Sequence, residues 1–310
     1  MMLETIDKYL ALKRLKDYER RVKRSARFIK HIIGYGTPQF AMTLGSGLQD
    51  LASTMKISST ISYDDIPGFP HCTADGHEGK LIIGTIEGVR VLGLQGRIHY
   101  YENAFVPGPY AMQEATFAVN VAADLKIPHF LSTNAAGAVN SIYQPADLMV
   151  IKSHIGFFIG ANNPLLSLNH MQFDTVGEAT KQYFPSTRNA YDKELSDLLY
   201  GAGINAGARM HKGNFAWVPG TNYETDAEIM ALNSMGADAV GMSVVPECLT
   251  ALHRGMRFVA MSCITNANND TSHNEVKQIL NDPMTREKIA GTLKNFFRKY
   301  NNIFIKDYDC

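Results

Sequence analysis

The sequence has few cysteines and no long apolar run. Its four cysteines, Cys72, Cys248, Cys263 and Cys310, lie far apart and form no Cys-x-x-Cys pair. A zinc site and a disulfide framework are therefore poorly supported, and no metal is expected. Since disulfides are rare in reducing compartments, this usage predicts a cytoplasmic protein. No run of about 18 apolar residues could span a membrane, and the charged N-terminus lacks the apolar core of a secretory signal.

An excess of charge of one sign is also missing. Thirty Lys and Arg residues balance thirty Asp and Glu residues, so the chain has no net field that would attract nucleic acid or an anionic membrane. The expected partners are small molecules or further copies of the chain. With 310 residues that are 45% hydrophobic, the chain is long and apolar enough to bury a sizeable core.

Residues 1–33 differ in pattern from residues 34–310. The first segment is helical in pattern and crowded with charge, whereas apolar strands alternate with helical stretches in the rest. We predict an N-terminal charged helical segment followed by a single α/β domain. The basic run could bind an anionic surface, but acidic residues interleave with it, which favours a solvated helix face.

Polar clusters follow directly on several apolar strands. We predict buried strands over 40–44, 89–94, 129–132, 237–240 and 257–264. The clusters after them are Ser46, Arg97-His99-Tyr101, Asn134-Ala135, Met242-Ser243 and Thr265-Asn266. In an open α/β sheet, ligands bind beyond the carboxyl ends of the strands. The pattern therefore predicts one ligand site built from these loops at one edge of a sheet.

Further signals outline the helices and turns. Glu87-Gly88 predicts a hairpin between strands over 80–86 and 89–94, and residues 109–126 have the pattern of a helix. Residues 156–185 show little periodicity.

A capping-box pattern marks the start of another helix. Thr225 and Glu228 have the required spacing, so Tyr223 and Glu224 are expected just outside the helix N-terminus. The apolar residues expected on one face of this helix are Ile229, Met230, Leu232 and Met235.

The residue types at the strand ends indicate the ligand. Strand alternation would place Arg97 and His99 on one side, where with Ser46 and Ser243 they could collect a phosphate-like anion. A salt-bridged strand end is the structural alternative. Glu224 and Asn266 offer an acceptor and an amide, the groups that read the edge of a purine.

Several catalytic signatures are missing. Gly45-Ser46-Gly47 continues to Asp50, where a dinucleotide fingerprint needs Gly or Ala, and it has no P-loop lysine. The sequence shows no nucleophile elbow, metal cluster or close pair of catalytic carboxylates. A reaction whose nucleophile is the bound anion needs none of them.

A series of motifs runs through residues 44–266. They are Leu-Gly-Ser-Gly-Leu at 44–48, Gly-Phe-Pro at 68–70, Gly-His-x-Gly at 76–79, Gln-Gly-Arg-x-His-x-Tyr-Glu at 95–102, Thr-Asn-Ala-Ala-Gly at 133–137, Tyr-Glu-Thr at 223–225, Gly-Ala-Asp-Ala-Val-Gly-Met-Ser at 236–243 and Ile-Thr-Asn at 264–266. In this order they resemble the trimeric purine nucleoside phosphorylases. The resemblance implies a homotrimer with a phosphorylase/hydrolase-like three-layer α/β fold, in which helices flank a central mixed, partly barrel-like β-sheet.

The resemblance also implies an activity and a site. The activity is reversible phosphorolysis of inosine, guanosine and their deoxy forms to a free purine and (deoxy)ribose 1-phosphate in purine salvage, with phosphate as co-substrate and no cofactor. Phosphate is expected on Ser46, His77, Arg97, His99, Ala135 and Ser243. The nucleoside is expected on Tyr101, Ala136, Gly137, Tyr223, Glu224, Met242, Thr265, Asn266 and His273. Of these residues, the predicted catalytic ones are His99, Glu224 and Asn266.

The sequence departs from the family pattern in three places. Tyr223 stands where the family usually has Phe, the loop from Asn266 to His273 is shorter than usual, and much of 156–185 has diverged. Members usually lend an aromatic residue from this last region to a neighbouring subunit's site, and Phe157 and Phe158 are both candidates. A methylthioadenosine or adenosine phosphorylase, a hydrolytic nucleosidase and a nucleoside-binding homologue without turnover remain the alternatives.

Overall fold

Strands and helices alternate along the chain. The computed structural model describes residues 2–45, 54–74, 78–106, 109–173, 175–176, 184–266 and 273–305, with 2–8, 161 and 273 described by their backbone alone. The strands are β1 (Phe40–Leu44), β2 (Lys56–Ser62), β3 (Lys80–Ile86), β4 (Val89–Gln95), β5 (His129–Ala138), β6 (Leu148–Ile155), β7 (Met210–Trp217), β8 (Ala239–Gly241) and β9 (Arg257–Asn266). The helices are α1 (Met2–Ile33), α2 (Tyr100–Asn103), α3 (Tyr110–Ala115), α4 (Phe117–Asp124), α5 (Pro164–Leu168), α6 (Lys193–Asn205), α7 (Asp226–Ser234), α8 (Val245–His253), α9 (His273–Asn281) and α10 (Pro283–Phe304). None of the helices in the described ranges is long and apolar enough to cross a membrane.

These strands form one mixed sheet, part of which closes into a barrel. Their order is β2-β3-β4-β1-β5-β8-β7-β6-β9, and β9 pairs with β5 as well. Strands β5, β8, β7, β6 and β9 therefore make a closed ring, from which β1, β4, β3 and β2 extend. Pairs β1–β4, β1–β5 and β5–β9 are parallel, so the carboxyl ends of these strands lie on the same side. The predicted mixed, partly barrel-like sheet is confirmed.

Helices cover both faces of the sheet. In β1, Ala41 faces one apolar cluster, which includes residues of α1, α4 and α8. Its neighbours Phe40, Met42 and Leu44 face a second cluster, which includes residues of α6, α9 and α10. Because successive side chains of a strand point to opposite faces, the alternation in β1 separates the two helical layers. The predicted three-layer arrangement is confirmed.

The second half of α1 packs against the α4 side of the molecule. Its buried apolar residues recur every three or four positions: Leu15, Tyr18, Val22, Ala26 and Ile29. Arg21 on this helix makes a bidentate ion pair with buried Glu114 of α3, at 2.6 and 2.9 Å. The predicted helix is confirmed, whereas the domain boundary between residues 33 and 34 stays a prediction.

The predicted hairpin is confirmed as β3 and β4. Glu87 (φ +48°) and Gly88 (φ +83°) both adopt the left-handed backbone that a two-residue hairpin turn requires. Strand β2, which pairs with β3, was not predicted. It is a largely exposed edge strand, so its sequence lacks the alternation of apolar and polar residues by which buried strands are recognised.

Several predicted boundaries were wrong, including those of the strand predicted over 237–240, which is β8 at Ala239–Gly241. Strands β5 and β9 run on to Ala138 and Asn266, so the polar clusters expected after these strands lie within them. The helix predicted over 109–126 is divided at Thr116 into α3 and α4. There the Thr116 hydroxyl donates to the Met112 carbonyl at 2.8 Å, a side-chain hydrogen bond that often bends helices.

The apolar face predicted for α7 was also partly wrong. Leu232 is buried and Ile229 is partly buried, but Met230 and Met235 are 65% and 44% exposed. At about 100° per residue, position 230 lies about 130° from the direction shared by 229 and 232. Met235 lies beyond the last helical residue, as the C-cap. The helix therefore packs through a narrow stripe.

Candidate active site

A cavity of about 150 Å³ lies where the ends of β5, β8 and β9 meet the segments that follow β4 and β7. Most predicted site residues line it: Arg97, His99, Tyr101, Ala135, Ala136, Gly137, Tyr223, Glu224, Met242, Ser243, Thr265 and Asn266. The other described residues that line it are Asn134, Ala138, Ile229, Val240, Gly241 and Val276. The structure thus brings together residues that are far apart in the sequence.

Three predicted site residues cannot be placed against this cavity. Ser46 and His77 lie outside the described residues. His273 is the first residue of α9, but its side chain is not described. Their predicted roles stay predictions. Among the described residues, no group of three or more His, Cys, Asp and Glu side chains could hold a metal ion.

Strand β8 delivers Met242 and Ser243 by a route that the sequence did not predict. It runs antiparallel to β5, with Gly137 opposite Val240 and Ala138 opposite Ala239. The prediction that the five strand ends share one edge was therefore wrong for β8. Strand β8 pairs with β5 only at Gly137 and Ala138, near the end of β5. The residues that follow β8 therefore still reach the cavity.

A strained turn holds Ser243 in the cavity wall. The next residue, Val244, has φ +70° and ψ −55°, and the Val245 N–H donates to the Ser243 carbonyl at 2.8 Å. This is a γ-turn in a left-handed conformation that β-branched residues rarely adopt, at a cost of about 1–3 kcal/mol. Buried Val244 and the start of α8 hold the turn in place.

Arg97, His99 and Tyr101 reach the cavity from a turn and a short helix. Strand β4 ends at Gln95 and α2 begins at Tyr100, so the predicted strand alternation was wrong. The rings of His99 and Tyr101 are stacked instead, with centroids 4.9 Å apart and planes 10° apart. Burial raises the pKa of Tyr101 to about 12, so its hydroxyl keeps its proton at neutral pH.

Glu102 holds His99 in place. Its Oε1 accepts from the His99 backbone N–H at 2.5 Å and lies 3.3 Å from Nδ1 of the ring. Burial lowers the pKa of His99, so the ring is neutral at neutral pH, and the Glu102 contact favours the tautomer with hydrogen on Nδ1. Burial alone would raise the pKa of Glu102, but hydrogen bonds from His99 and Thr73 lower it to about 2. Sequence reasoning missed this role, although the His-x-x-Glu spacing matches that of a capping box.

A buried ion pair fixes Arg97. Its Nε donates to Glu247 Oε1 at 2.9 Å and its Nη2 to Oε2 at 3.0 Å, and each of the two residues is only 5% exposed. Its Nη2 also donates to Ser132 Oγ at 2.7 Å, and its Nη1 to the Thr133 carbonyl at 3.1 Å. The edge of the guanidinium formed by Nε and Nη2, which could bind an anion through two hydrogen bonds, is therefore occupied by Glu247. Sequence reasoning missed this ion pair, because the two residues are 150 positions apart and no local pattern links them.

Asn266 and Glu224 line the same cavity. The β5–β9 register shifts so that Asn266 lies opposite Gly137, where an added Cβ would come within 3.3 Å of Asn266 Oδ1. A β-bulge of this kind re-aims side chains near functional sites. Glu224 immediately precedes the α7 cap, Thr225, as predicted. Burial raises the pKa of Glu224, and the charge of Glu228 adds to the effect.

Gly220 lets the segment before Glu224 approach the cavity closely. It has φ +77°, and a Cβ at this position would lie 2.6 Å from Met242 Sδ and 3.0 Å from Tyr101 Cδ1. A side chain at this position would therefore push the segment away from these residues.

Comparisons with known proteins agree with this arrangement. Residues 39–297 match the family described as the phosphorylase superfamily. Purine nucleoside phosphorylase 1 of Bacillus subtilis (strain 168) is 40% identical over 279 residues, which cover 88% of this chain and 95% of the relative. A schistosoma purine nucleoside phosphorylase in complex with hypoxanthine has a TM-score of 0.77 at 31% identity and covers 90% of this chain and 97% of its own. The Schistosoma mansoni enzyme in complex with adenosine has a TM-score of 0.75 at 32% identity, with 92% and 97% covered.

The match includes all the described residues that line the cavity, from Arg97 after β4 to Val276 in α9. It extends over most of the chain in both sequence and fold. This chain therefore belongs to the phosphorylase superfamily and, within it, to the purine nucleoside phosphorylases.

Proposed function

We propose that the protein catalyses the reversible phosphorolysis of 6-oxopurine nucleosides to a free purine and (deoxy)ribose 1-phosphate. The observation that carries the proposal is one cavity lined by two chemically different groups of residues. Arg97, His99 and Ser243 are anion-binding types, and Glu224 and Asn266 supply an acceptor and an amide. Inorganic phosphate is the proposed co-substrate, and no cofactor is required.

In the proposed mechanism, the site positions phosphate next to the ribose and stabilises the charges that develop in the transition state. Phosphate is held beside the ribose by Arg97, Ser243 and the Ala135 amide, with Ser46 and His77 as further predicted ligands. A neutral His99 whose Nδ1–H faces Glu102 has Nε2 as its ring acceptor, which suits a protonated phosphate oxygen. Asn266 stabilises the charge that develops on the purine, and the bound phosphate captures the oxocarbenium-like sugar.

Glu224 and Asn266 supply the proposed base selectivity. A 6-oxopurine carries an N1–H that the Glu224 carboxylate accepts, and its O6 and N7 accept from the Asn266 amide. Adenine presents an unprotonated N1 and a 6-amino group instead, which leaves polar groups unpaired at about 1–3 kcal/mol each. Because hypoxanthine and adenosine both form complexes with schistosome relatives, catalytic efficiency is the quantity that tests selectivity here.

The deciding experiment is an assay of inosine, guanosine, adenosine and methylthioadenosine, each with and without phosphate. We expect phosphate-dependent turnover that is fast with inosine and guanosine and slow with the other two. Turnover without phosphate would indicate a hydrolase, and comparable efficiency on adenosine and inosine would favour the methylthioadenosine or adenosine reaction. Binding with no turnover on any substrate would indicate a nucleoside-binding homologue.

The pH dependence should report the ionisation of Glu224. The carboxylate accepts N1–H only when ionised, and its raised pKa keeps it protonated to a higher pH than an ordinary glutamate, whose pKa is about 4.3. We expect kcat/KM for inosine to fall as the pH falls through that raised pKa, and Glu224→Gln to remove this limb of the profile.

Glu228→Gln provides the control for this profile. Glutamine preserves the capping box of α7 but removes a charge that raises the pKa of Glu224, so the limb should move to lower pH without disappearing. Titration of His99 or of phosphate is common to all variants and cancels in the comparison. If Glu224→Gln has the same pH profile of kcat/KM as the wild type, Glu224 does not take part in base recognition.

We further propose that the protein is a homotrimer in the cytoplasm. The site of each subunit would lie near an interface and be completed by an aromatic residue of a neighbouring subunit. Phe157 is 78% exposed and Phe158 is 50% exposed, so both aromatic side chains are accessible at the surface. Phe158 also lines a second cavity of its own chain, next to Glu224, which makes Phe157 the better candidate to reach a neighbour. Sedimentation at assay concentration should give a trimer, and a fully active monomer would contradict this assembly.

A further inference from the structure

We propose that Glu247 is a positioning residue for the phosphate-binding arginine: it holds one edge of the Arg97 guanidinium so that the Nη1 side is presented to the anion. This inference rests on the proposed function. It assigns a task in that reaction to a carboxylate that does not line the main cavity, where Arg97 and Asn266 lie, and that the mechanism above does not use.

Glu247 is anchored from several elements at once. It lies in the first turn of α8, and its Oε2 accepts from the Ser132 hydroxyl of β5 at 2.5 Å. The Thr43 hydroxyl of β1 lies 3.5 Å from its Oε1. A carboxylate held in this way by two strands cannot follow a moving side chain, so the bidentate pair fixes the plane of the Arg97 guanidinium.

The fixed plane gives the Nη1 side of Arg97 a definite direction. A Cβ added to Gly45 would lie 3.1 Å from Arg97 Nη1 and 2.5 Å from the Thr133 carbonyl, to which Nη1 donates. The guanidinium therefore packs against the backbone at Gly45, just after the end of β1. Arg97 also lines the main cavity, so its orientation is set at the place where the anion is proposed to bind.

The ion pair also sets the charge of the site. Glu247 neutralises Arg97 in a buried environment, so phosphate meets an arginine whose position is fixed but whose charge is balanced. If Glu247 acts by positioning, removing its charge should disorder the guanidinium and lower kcat while strengthening the attraction for phosphate. A purely structural role, or a direct contribution to phosphate binding, would instead weaken phosphate binding as activity fell.

The test compares Glu247→Gln and Glu247→Asp with the wild-type chain. Steady-state phosphorolysis of inosine at varied phosphate gives kcat, and calorimetric titration with inorganic phosphate gives Kd. We expect Glu247→Gln to lower kcat about 10²-fold, as misplacement of a catalytic group does, with a phosphate Kd that is unchanged or lower. Aspartate keeps the negative charge on a shorter side chain, so Glu247→Asp should recover part of kcat with a Kd near that of the wild type. This second variant keeps the test decisive if Glu247→Gln does not fold.

Glu114→Gln is the matched control. Glu114 is buried in a bidentate pair with Arg21 and does not line the cavity, so its substitution should lower the melting temperature without changing kcat or Kd. A near-wild-type kcat in Glu247→Gln, or a phosphate Kd that rises together with the loss of kcat, would overturn the inference. A wild-type protein without phosphate-dependent turnover would contradict the proposed function instead.

Discussion

Replacing Arg97 with alanine is expected to lower the rate of inosine phosphorolysis about 10²–10³-fold, because the transition-state anion loses a fixed hydrogen-bond donor. The same change removes the partner of buried Glu247. Leaving one member of a buried ion pair unpaired costs about 3–5 kcal/mol of folding stability. Both effects are measurable, by steady-state kinetics at varied phosphate and by denaturant unfolding.

Two further variants separate the catalytic effect from the structural one. Arg97→Ala combined with Glu247→Gln removes the unpaired charge, so stability should recover in part while the activity stays low. Arg21→Ala breaks the comparable pair with Glu114 away from the cavity and should lower stability with kcat retained. An Arg97→Ala protein whose dependence on phosphate is unchanged would remove Arg97 from the site.

Changing Asn266 to aspartate is expected to shift selectivity from inosine towards adenosine. The carboxyl group can accept from the 6-amino group of adenine and, when protonated, can donate to N7. One mismatched polar contact is worth about 1–3 kcal/mol, so the ratio of kcat/KM values should change about 10–100-fold. The packing of Asn266 against Gly137 leaves little room for movement, which favours a change in chemistry over a change in position.

The matched control for this switch is Asn134→Asp. Asn134 lines the same cavity, and its Oδ1 accepts from the Ser262 hydroxyl at 2.8 Å. Its Cα and Arg97 Nη1 both lie close to Gly45, so a negative charge at position 134 should oppose phosphate and slow both nucleosides alike. An Asn266→Asp protein whose inosine to adenosine ratio equals that of the wild type would show that Glu224 alone selects the base.

Most of the local structure could be predicted from short-range pattern. The hairpin at Glu87-Gly88 and the capping box at Thr225 depend on residues next to each other in the chain, and both are confirmed. The exposed edge strand β2 and the division of a helix at Thr116 escaped prediction. An edge strand lacks a buried face, and a hydroxyl that bonds back to its own helix leaves no mark in the apolar periodicity.

The sequence predicted the residue types around the cavity and the family to which the chain belongs, because each motif is a short stretch with its own chemistry. How these stretches meet depends on contacts between distant segments. The antiparallel course of β8 and the bulge that sets Asn266 against Gly137 follow from strand pairing, which no local pattern encodes. The ion pair between Arg97 and Glu247 has the same origin, since a buried charge is paired with whatever partner the completed fold brings within reach. Sequence pattern therefore indicated the donors and acceptors of the site, and tertiary packing determined which of them face the ligand and which face each other.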